Sequence, residues 1–151
     1  MEFTINKENL KPLNTAMHSV NLPEGMSYQL PPNTFAKLNG EFINFIDDKK
    51  LVTRFHIEKE FSNPQGTVQG GIIAACFDDT FGPLGVAKSG KPILTTNMNV
   101  QYIRPVPLEQ DIFIITEIVS ISRSNIFLRA DIFNSTGKLL AQASTNQLIL
   151  K

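Results

Sequence analysis

The sequence predicts an α+β fold in which one strongly curved antiparallel sheet wraps around a single long helix. Alternating apolar and polar residues, which are typical of half-buried strands, occupy segments before and after a stretch near residues 69–88. That stretch is apolar on nearly every side, so a helix formed there must be covered around most of its circumference. Short turns between the later strands favour antiparallel pairing, and an antiparallel sheet with one apolar face provides the cover.

The chain of 151 residues has the length of one domain, with an irregular N-terminal segment expected at 1–32 and a single domain at 33–151. Four prolines lie within the first 32 residues, and the helical pattern at Asn9–His18 is weak. We expect the domain to open with a short helix from Asn33 that an Asn or Thr caps and Gly40 stops.

One long helix and six strands account for the rest of the chain. The helix is expected from about Gln69 to Lys88, with Gly82-Pro83 kinking or ending it. The strands are expected at 41–46, 51–58, 93–103, 111–121, 125–134 and 139–150.

Composition excludes several classes of function. Fourteen basic residues balance fourteen acidic ones, which argues against nucleic-acid binding. No apolar run approaches the roughly 18 residues of a membrane span, and the N-terminus lacks the pattern of a secretory signal. The single Cys76 excludes an intrachain disulfide and suits a cytoplasmic protein. With only His18 and His56 besides it, a zinc site is not expected.

Two adjacent carboxylates, Asp78 and Asp79, lie in the middle of the apolar helix. A buried charge is costly unless it is paired, hydrogen-bonded or faces a cleft, so these residues are the first candidates for chemistry. Asp79 lies about 100° further round the helix than Asp78 and is expected to be structural. Cys76 is expected to be a small buried hydrophobe, and His56 to be solvated on the polar face of its strand.

The segment from Asn63 to Asp78 resembles a hotdog-fold thioesterase of the PaaI-like branch (phenylacetic acid degradation protein-like). That branch shows an Asn, a Gly-containing loop, His-Gly-Gly opening the central helix, and an Asp two and a half turns further on. Here Asn63 precedes Gln69-Gly70-Gly71 by six residues and Asp78 follows Gln69 by nine. The run Asn97–Pro105 is similar to the strand after the helix, and the likeness covers residues 33–150.

The resemblance implies hydrolysis of acyl-CoA thioesters at the subunit interface of a homodimer or a dimer of dimers. It assigns Asp78 as general base or nucleophile, and Gly70, or less well Gly71, as the N–H donor to the carbonyl oxygen. Asn63 would position water or the thioester. A strand hydroxyl, Thr95 or its rival Thr96, would hold water. Gln69 and Asp78 are about 13 Å apart along a helix, so the resemblance places Asp78 opposite the helix start of the other subunit.

Coenzyme A enters only as part of the substrate, and neither a metal nor a redox cofactor is implied. Its phosphates favour basic residues at the rim, and the candidates are Lys88, Lys91, Arg104 and the turn Arg123-Ser124. Gln69 stands where the family has His, and a Gln does not titrate. A weakly active module that binds acyl-CoA or an acyl carrier protein, or a dimerisation domain without turnover, therefore stays an alternative.

Overall fold

The computed structural model describes residues 3–151, which form one six-stranded antiparallel sheet and three α-helices. The strands lie in the order β1-β2-β4-β5-β6-β3, so β1 and β3 are the two edges of the sheet. The helices are α1 (Lys7–His18), α2 (Asn33–Lys37) and α3 (Gly70–Ser89), with a 3-10 turn at Lys59–Phe61. The strands are β1 (Glu41–Ile46), β2 (Lys50–His56), β3 (Ile93–Tyr102), β4 (Asp111–Ile121), β5 (Asn125–Asn134) and β6 (Leu139–Ile149).

The sheet curves around α3, and α1 and α2 pack on the same helix. Phe77, Phe81 and Leu84 of α3 are fully buried against inward side chains such as Ile114 and Leu128. The apolar character of α3 on all sides follows from this enclosure, because a helix covered by a sheet and two helices has little surface left for water. The predicted fold is confirmed, and the strand bounds agree with the prediction to within two residues.

Of the two outcomes expected at Gly82-Pro83, a kink or an end, the helix end does not occur, because α3 runs through this pair to Ser89. Pro83 removes only one backbone hydrogen bond from the helix. Its own side chain and those of its neighbours Phe81 and Leu84 are buried, and this packing holds the turn helical. The helix ends instead at Gly90, whose φ of 68° closes it in the left-handed conformation.

The N-terminal segment is less irregular than expected, because residues 7–18 form α1. Asn6 caps this helix by accepting a hydrogen bond from the Asn9 N–H. Its buried face consists of only Leu10, Leu13 and Met17, and such a narrow stripe explains why the pattern in the sequence is weak. No regular element occurs in residues 19–32.

The capping expected for α2 is wrong at both ends. Pro32 occupies the N-cap position without a side-chain cap bond, while Thr34 turns its hydroxyl toward α3. After the helix, Asn39 takes the left-handed φ of 54°. Gly40 is needed for space, since a Cβ there would lie 2.7 Å from the ring of Phe35.

Candidate active site

The loop before α3 is built around the side chain of Asn63. Its Oδ1 accepts hydrogen bonds from the N–H groups of Gln65 and Thr67, each at 3.0 Å. Its Nδ2 donates to the Thr67 hydroxyl at 2.8 Å. The amide thus closes a turn of the kind that Asn residues favour, and it fixes the loop that leads into the helix.

The N-terminus of α3 presents free backbone donors to a cavity of about 410 Å³. The N–H groups of Gly70 and Gly71 have no acceptor within the helix, and none elsewhere in residues 3–151. Tyr102 donates its hydroxyl to the Gly70 carbonyl oxygen at 2.8 Å and lines the cavity together with Asn63 and Gly70. The positive end of a helix dipole beside unpaired N–H groups favours an oxygen that gains negative charge.

Gln69 is the N-cap residue of α3 through its backbone alone. Its carbonyl oxygen accepts from the Ile72 and Ile73 N–H groups, whereas its side chain makes no cap bond and is exposed. The carboxamide lies beside Gly71, since a Cβ on Gly71 would approach its Oε1 to 3.3 Å.

Asp78 is exposed and lies in a second cavity, of about 370 Å³. The Thr95 hydroxyl donates to its Oδ1 at 2.9 Å. Thr96 is not brought to this site, because its hydroxyl donates to the Asn146 carbonyl oxygen at 2.9 Å. A bulge in β3 between Thr95 and Asn97 separates the two threonines.

Asp79 lies in the same cavity, but its side chain is buried, with 4% exposure. Its Oδ1 accepts a hydrogen bond from the Thr34 hydroxyl at 2.7 Å, and its Oδ2 has no partner in residues 3–151. Burial raises the pKa of Asp79 to about 6, and the nearby Asp78 adds to the rise while the Thr34 bond opposes it. The structural role expected for Asp79 agrees with this contact between α3 and α2.

A single chain does not bring the helix donors and the Asp78 carboxylate together. Gly70 lines the first cavity and Asp78 lines the second, and eight residues of α-helix separate them by about 12 Å. The helix donors and the carboxylate therefore do not meet on one thioester carbonyl within a single chain.

The comparisons identify the family of this chain. The family model described as "Thioesterase superfamily" matches residues 65–141. The chain is 32% identical to human acyl-coenzyme A thioesterase 13 over 95 residues, which cover 62% of this chain and 68% of that protein.

The chain belongs to the thioesterase superfamily.

Solved structures confirm the hotdog fold. The PaaI protein of the E. coli phenylacetic acid degradation operon superposes with a TM-score of 0.74 at 12% identity, over 80% of this chain and 86% of that one. A hypothetical thioesterase from Streptococcus pneumoniae TIGR4, solved with coenzyme A, superposes with a TM-score of 0.69 at 20% identity, over 74% and 86%. The predicted resemblance to PaaI-like thioesterases, and the prediction of a thioester hydrolase, are confirmed at the level of the family.

The basic residues predicted to line the rim of the site lie near the two ends of β3. Arg104 lines the Gly70 cavity, and its guanidinium donates to the Leu139 carbonyl oxygen at 2.8 Å. The Arg123-Ser124 turn lies at the opposite end, where the Ser124 carbonyl oxygen accepts from the Ile149 N–H at 2.8 Å. Ile149 pairs with Ile93, which lines the Asp78 cavity. Lys88 and Lys91 are exposed at the C-terminal end of α3.

Cys76 and His56 take no part in either cavity. Cys76 is fully buried, as predicted, and burial raises the pKa of its thiol. His56 is not simply solvated, because its Nδ1 lies 2.9 Å from Asp111 Oδ1 on the neighbouring strand. Within residues 3–151, no three His, Cys, Asp or Glu side chains are grouped as a metal site requires. None of the helices described is long and apolar enough to cross a membrane.

Among the cavity residues that sequence reasoning missed, three make hydrogen bonds that hold the site: Tyr102, Tyr28 and Thr34. Tyr102 holds the Gly70 carbonyl, while Tyr28 and Thr34 reach the Asp78 cavity from the segment before β1. A signal existed only for Tyr102, which lies in the strand segment Asn97–Pro105 that resembles the family. Tyr28 and Thr34 precede that likeness or lie at its start, and only folding brings them to α3.

Proposed function

We propose that this protein hydrolyses acyl-CoA thioesters at a composite site, in which one subunit supplies Asp78 and its partner supplies Gly70. The observation that carries the proposal is the separation of an exposed carboxylate from unpaired N–H groups by about 12 Å on one buried helix. The name of the human relative, acyl-coenzyme A thioesterase, supports the substrate class. The streptococcal structure with coenzyme A supports it as well.

The edge strand β3 offers the surface for such a dimer. It is a free edge in this chain, and an unpaired edge is a template for a further strand. Thr95 lies at the Asp78 end of β3 and Tyr102 at the Gly70 end. The bulge makes Thr96 and Asn97 count as one position in the strand. Asn99 then lies midway between Thr95 and Tyr102. A two-fold axis at Asn99 would pair β3 with its copy and bring Thr95 beside the partner subunit's Tyr102.

That pairing would place Asp78 opposite the partner subunit's Gly70 and create two equivalent sites. The thioester carbonyl oxygen would accept a hydrogen bond from the Gly70 N–H, with the Gly71 N–H beside it. The helix dipole would stabilise the negative charge that develops on this oxygen. The backbone donors are in place before reaction because the Asn63 turn and the Tyr102 hydroxyl hold the helix start.

Asp78 would act either as the general base that takes a proton from attacking water or as the nucleophile itself. In the first route the oxygen of water bonds to the acyl carbon, the carbon–sulfur bond breaks, and the proton passes to the CoA thiolate. In the second route the Asp78 carboxylate bonds to the acyl carbon and the carbon–sulfur bond breaks, which releases the CoA thiolate and leaves an acyl–Asp78 anhydride. Water then hydrolyses the anhydride, which restores the carboxylate and supplies the proton that the thiolate takes up. In both, Thr95 would orient the carboxylate. Gln69 does not titrate, so it would contribute polar contact alone.

The rim residues would bind the coenzyme A portion. Phosphate oxygens are good acceptors for guanidinium groups and for the hydroxyl and backbone groups of a turn. Arg104 would supply one such contact beside Gly70, and Arg123-Ser124 another beside Asp78. A cytoplasmic location, where the single buried Cys76 stays reduced, is part of the same proposal.

The experiment compares thiol release from a panel of acyl-CoAs by the wild type and by Asp78→Asn. The amide keeps the shape of the side chain and removes its basicity, so we expect kcat to fall by about a hundredfold or more. Asp48→Asn, in the exposed β1–β2 turn, is the matched control. Equal turnover by wild type and Asp78→Asn would exclude Asp78 as base or nucleophile.

A second candidate function is an acyl-CoA or acyl carrier protein binding module with little turnover. The observation that favours it is Gln69, which occupies the position of the family's His without its ability to titrate. Tight binding of acyl-CoA by calorimetry, with no thiol release on any acyl chain, would establish this alternative. A dimerisation domain would show neither binding nor turnover.

A further inference from the structure

The segment 20–32, which we name the strap, connects the end of α1 to α2 across the cavity that holds Asp78. No helix or strand occurs in it. Hydrogen bonds nevertheless fix it to the C-terminal end of α3, to the start of β3 and, just past its end, to Asp79. They run from Asn21 N–H to the Gly90 carbonyl at 3.1 Å, from Ile93 N–H to the Tyr28 hydroxyl at 3.4 Å, and from Thr34 to Asp79 at 2.7 Å.

The strap separates two cavities of similar size. The first, of about 370 Å³, contains Asp78. The second, of about 350 Å³, lies between the strap and the end of α1. Three consecutive strap residues line both cavities: Tyr28, Gln29 and Leu30. We call these three residues the wall, since each of them borders both cavities.

The first cavity has both polar and apolar lining residues. Its polar lining consists of Asp78, Asp79, Thr34 and Thr95, with Tyr28 and Gln29 of the strap. The remaining lining includes the apolar side chains Leu30, Pro32, Pro83, Ile93 and Leu94. An acyl group whose carbonyl carbon lies at Asp78 would therefore extend its uncharged tail along the apolar part, toward Leu30. The two carboxylates disfavour acyl groups that carry a negative charge.

The second cavity has a mixed lining. Met17, Val20 and Leu22 provide apolar side chains beside the shared Leu30, and His18 lies among them. Transfer of an alkyl chain from water to a surface of apolar side chains lowers the free energy. The second cavity meets the first at the shared residues Tyr28, Gln29 and Leu30.

We propose that the strap limits the length of the acyl chain, with Leu30 as the residue against which the chain ends. This inference rests on the proposed acyl-CoA hydrolysis and names its substrate class: uncharged acyl groups short enough to end at Leu30. Loss of the Leu30 side chain would join the two cavities and roughly double the volume available to the acyl chain.

The test measures chain-length profiles for wild type, Leu30→Ala and Leu30→Phe. Leu30 is only partly buried, so both variants are expected to fold, and thermal melting checks this. The profile is measured twice, as kcat/KM for saturated acyl-CoAs and as Kd for non-hydrolysable alkyl-CoA thioethers. Met26→Ala is the matched control, because Met26 is an exposed strap residue that lines neither cavity.

We expect Leu30→Ala to raise the ratio of dodecanoyl to hexanoyl kcat/KM at least about tenfold, the lower end of what one methylene contributes in an apolar pocket. Leu30→Phe should shift the ratio in the opposite direction, and Met26→Ala should leave it at the wild-type value. Profiles that coincide in all four proteins, in both kcat/KM and Kd, would overturn the role of the strap. If no protein hydrolyses any acyl-CoA but the Kd profile shifts as described, the hydrolase proposal fails and the strap proposal stands.

Discussion

Asp79 provides a quantitative test of the electrostatics beside the site. Its buried carboxylate has a pKa raised to about 6 in the folded protein, compared with an ordinary value of 3.8. The difference corresponds to about 3 kcal/mol at most. Because the folded state takes up the proton at a higher pH than the unfolded chain, this group stabilises the fold on acidification. The contribution is fully present below about pH 4 and is lost as the pH rises through about 6.

The perturbation is Asp79→Asn, which keeps an oxygen to accept from Thr34 and removes the titrating group. Urea denaturation at pH 5, 6, 7 and 8 and at one protein concentration gives the free energy of unfolding of wild type and variant. From pH 8 to pH 5, one unit below the folded pKa, the wild type should gain about 1.4 kcal/mol relative to the variant. The other titrating groups are the same in both proteins. Their contribution therefore cancels when the free energy of unfolding of the variant is subtracted from that of the wild type.

Asp48→Asn is the control for loss of one charge. Asp48 is exposed in the β1–β2 turn at a φ of 52°, a conformation that Asn adopts readily, so its curve should follow the wild type. Parallel curves of the free energy of unfolding against pH for wild type and Asp79→Asn would refute the raised pKa of Asp79. So would a wild type that loses stability relative to the variant on acidification.

Three further predictions concern the composite site. Thr95→Val should lower kcat about tenfold, because a hydrogen bond to a charged group contributes about 1.5 kcal/mol. Thr96→Val should leave kcat unchanged, and equal effects of the two substitutions would exclude a role in turnover for the Thr95 contact. Asn99→Cys should form an intersubunit disulfide on non-reducing gels, since facing residues of antiparallel strands have Cα atoms about 5 Å apart. Gln101→Cys, two positions from the axis, should not, and cross-linking of both would place the axis elsewhere. Gln69→His should leave kcat within the same order of magnitude, and a large gain would show that the natural chain is a weak catalyst.

The order of elements could be predicted because each one has its own local pattern. Ile126, Leu128, Ala130 and Ile132 alternate with polar or exposed residues along β5 and are all buried in the structure. The helix α3 is recognisable for the opposite reason, since its apolar residues show no single face. The helix end considered at Gly82-Pro83 does not occur, because the packing that holds this turn helical involves core residues distant in sequence.

The candidate site likewise has residues that the sequence predicts and contacts that only the structure shows. Asp78, Gly70 and Asn63 are identified by their spacing, which a family resemblance preserves. The choice between Thr95 and Thr96 depends on a single β-bulge, and no residue type in β3 predicts that bulge. Asp79 accepts from Thr34, 45 positions earlier, and Tyr28 bonds Ile93, 65 positions later. Contacts at such separations leave no periodicity in the sequence.

The sequence by itself therefore determined the fold class, the strand order along the chain and the choice of Asp78 as the first candidate for chemistry. Hydrophobic periodicity is a local property, and a charge within an apolar helix is visible without coordinates. Only the tertiary structure decided that Gly70 and Asp78 line separate cavities, that Asp79 is buried while Asp78 is exposed, and that the strap forms a wall beside them. The physical reason is that burial and contact depend on what packs against a residue from elsewhere in the chain, and here those partners come from β3, α2 and the strap.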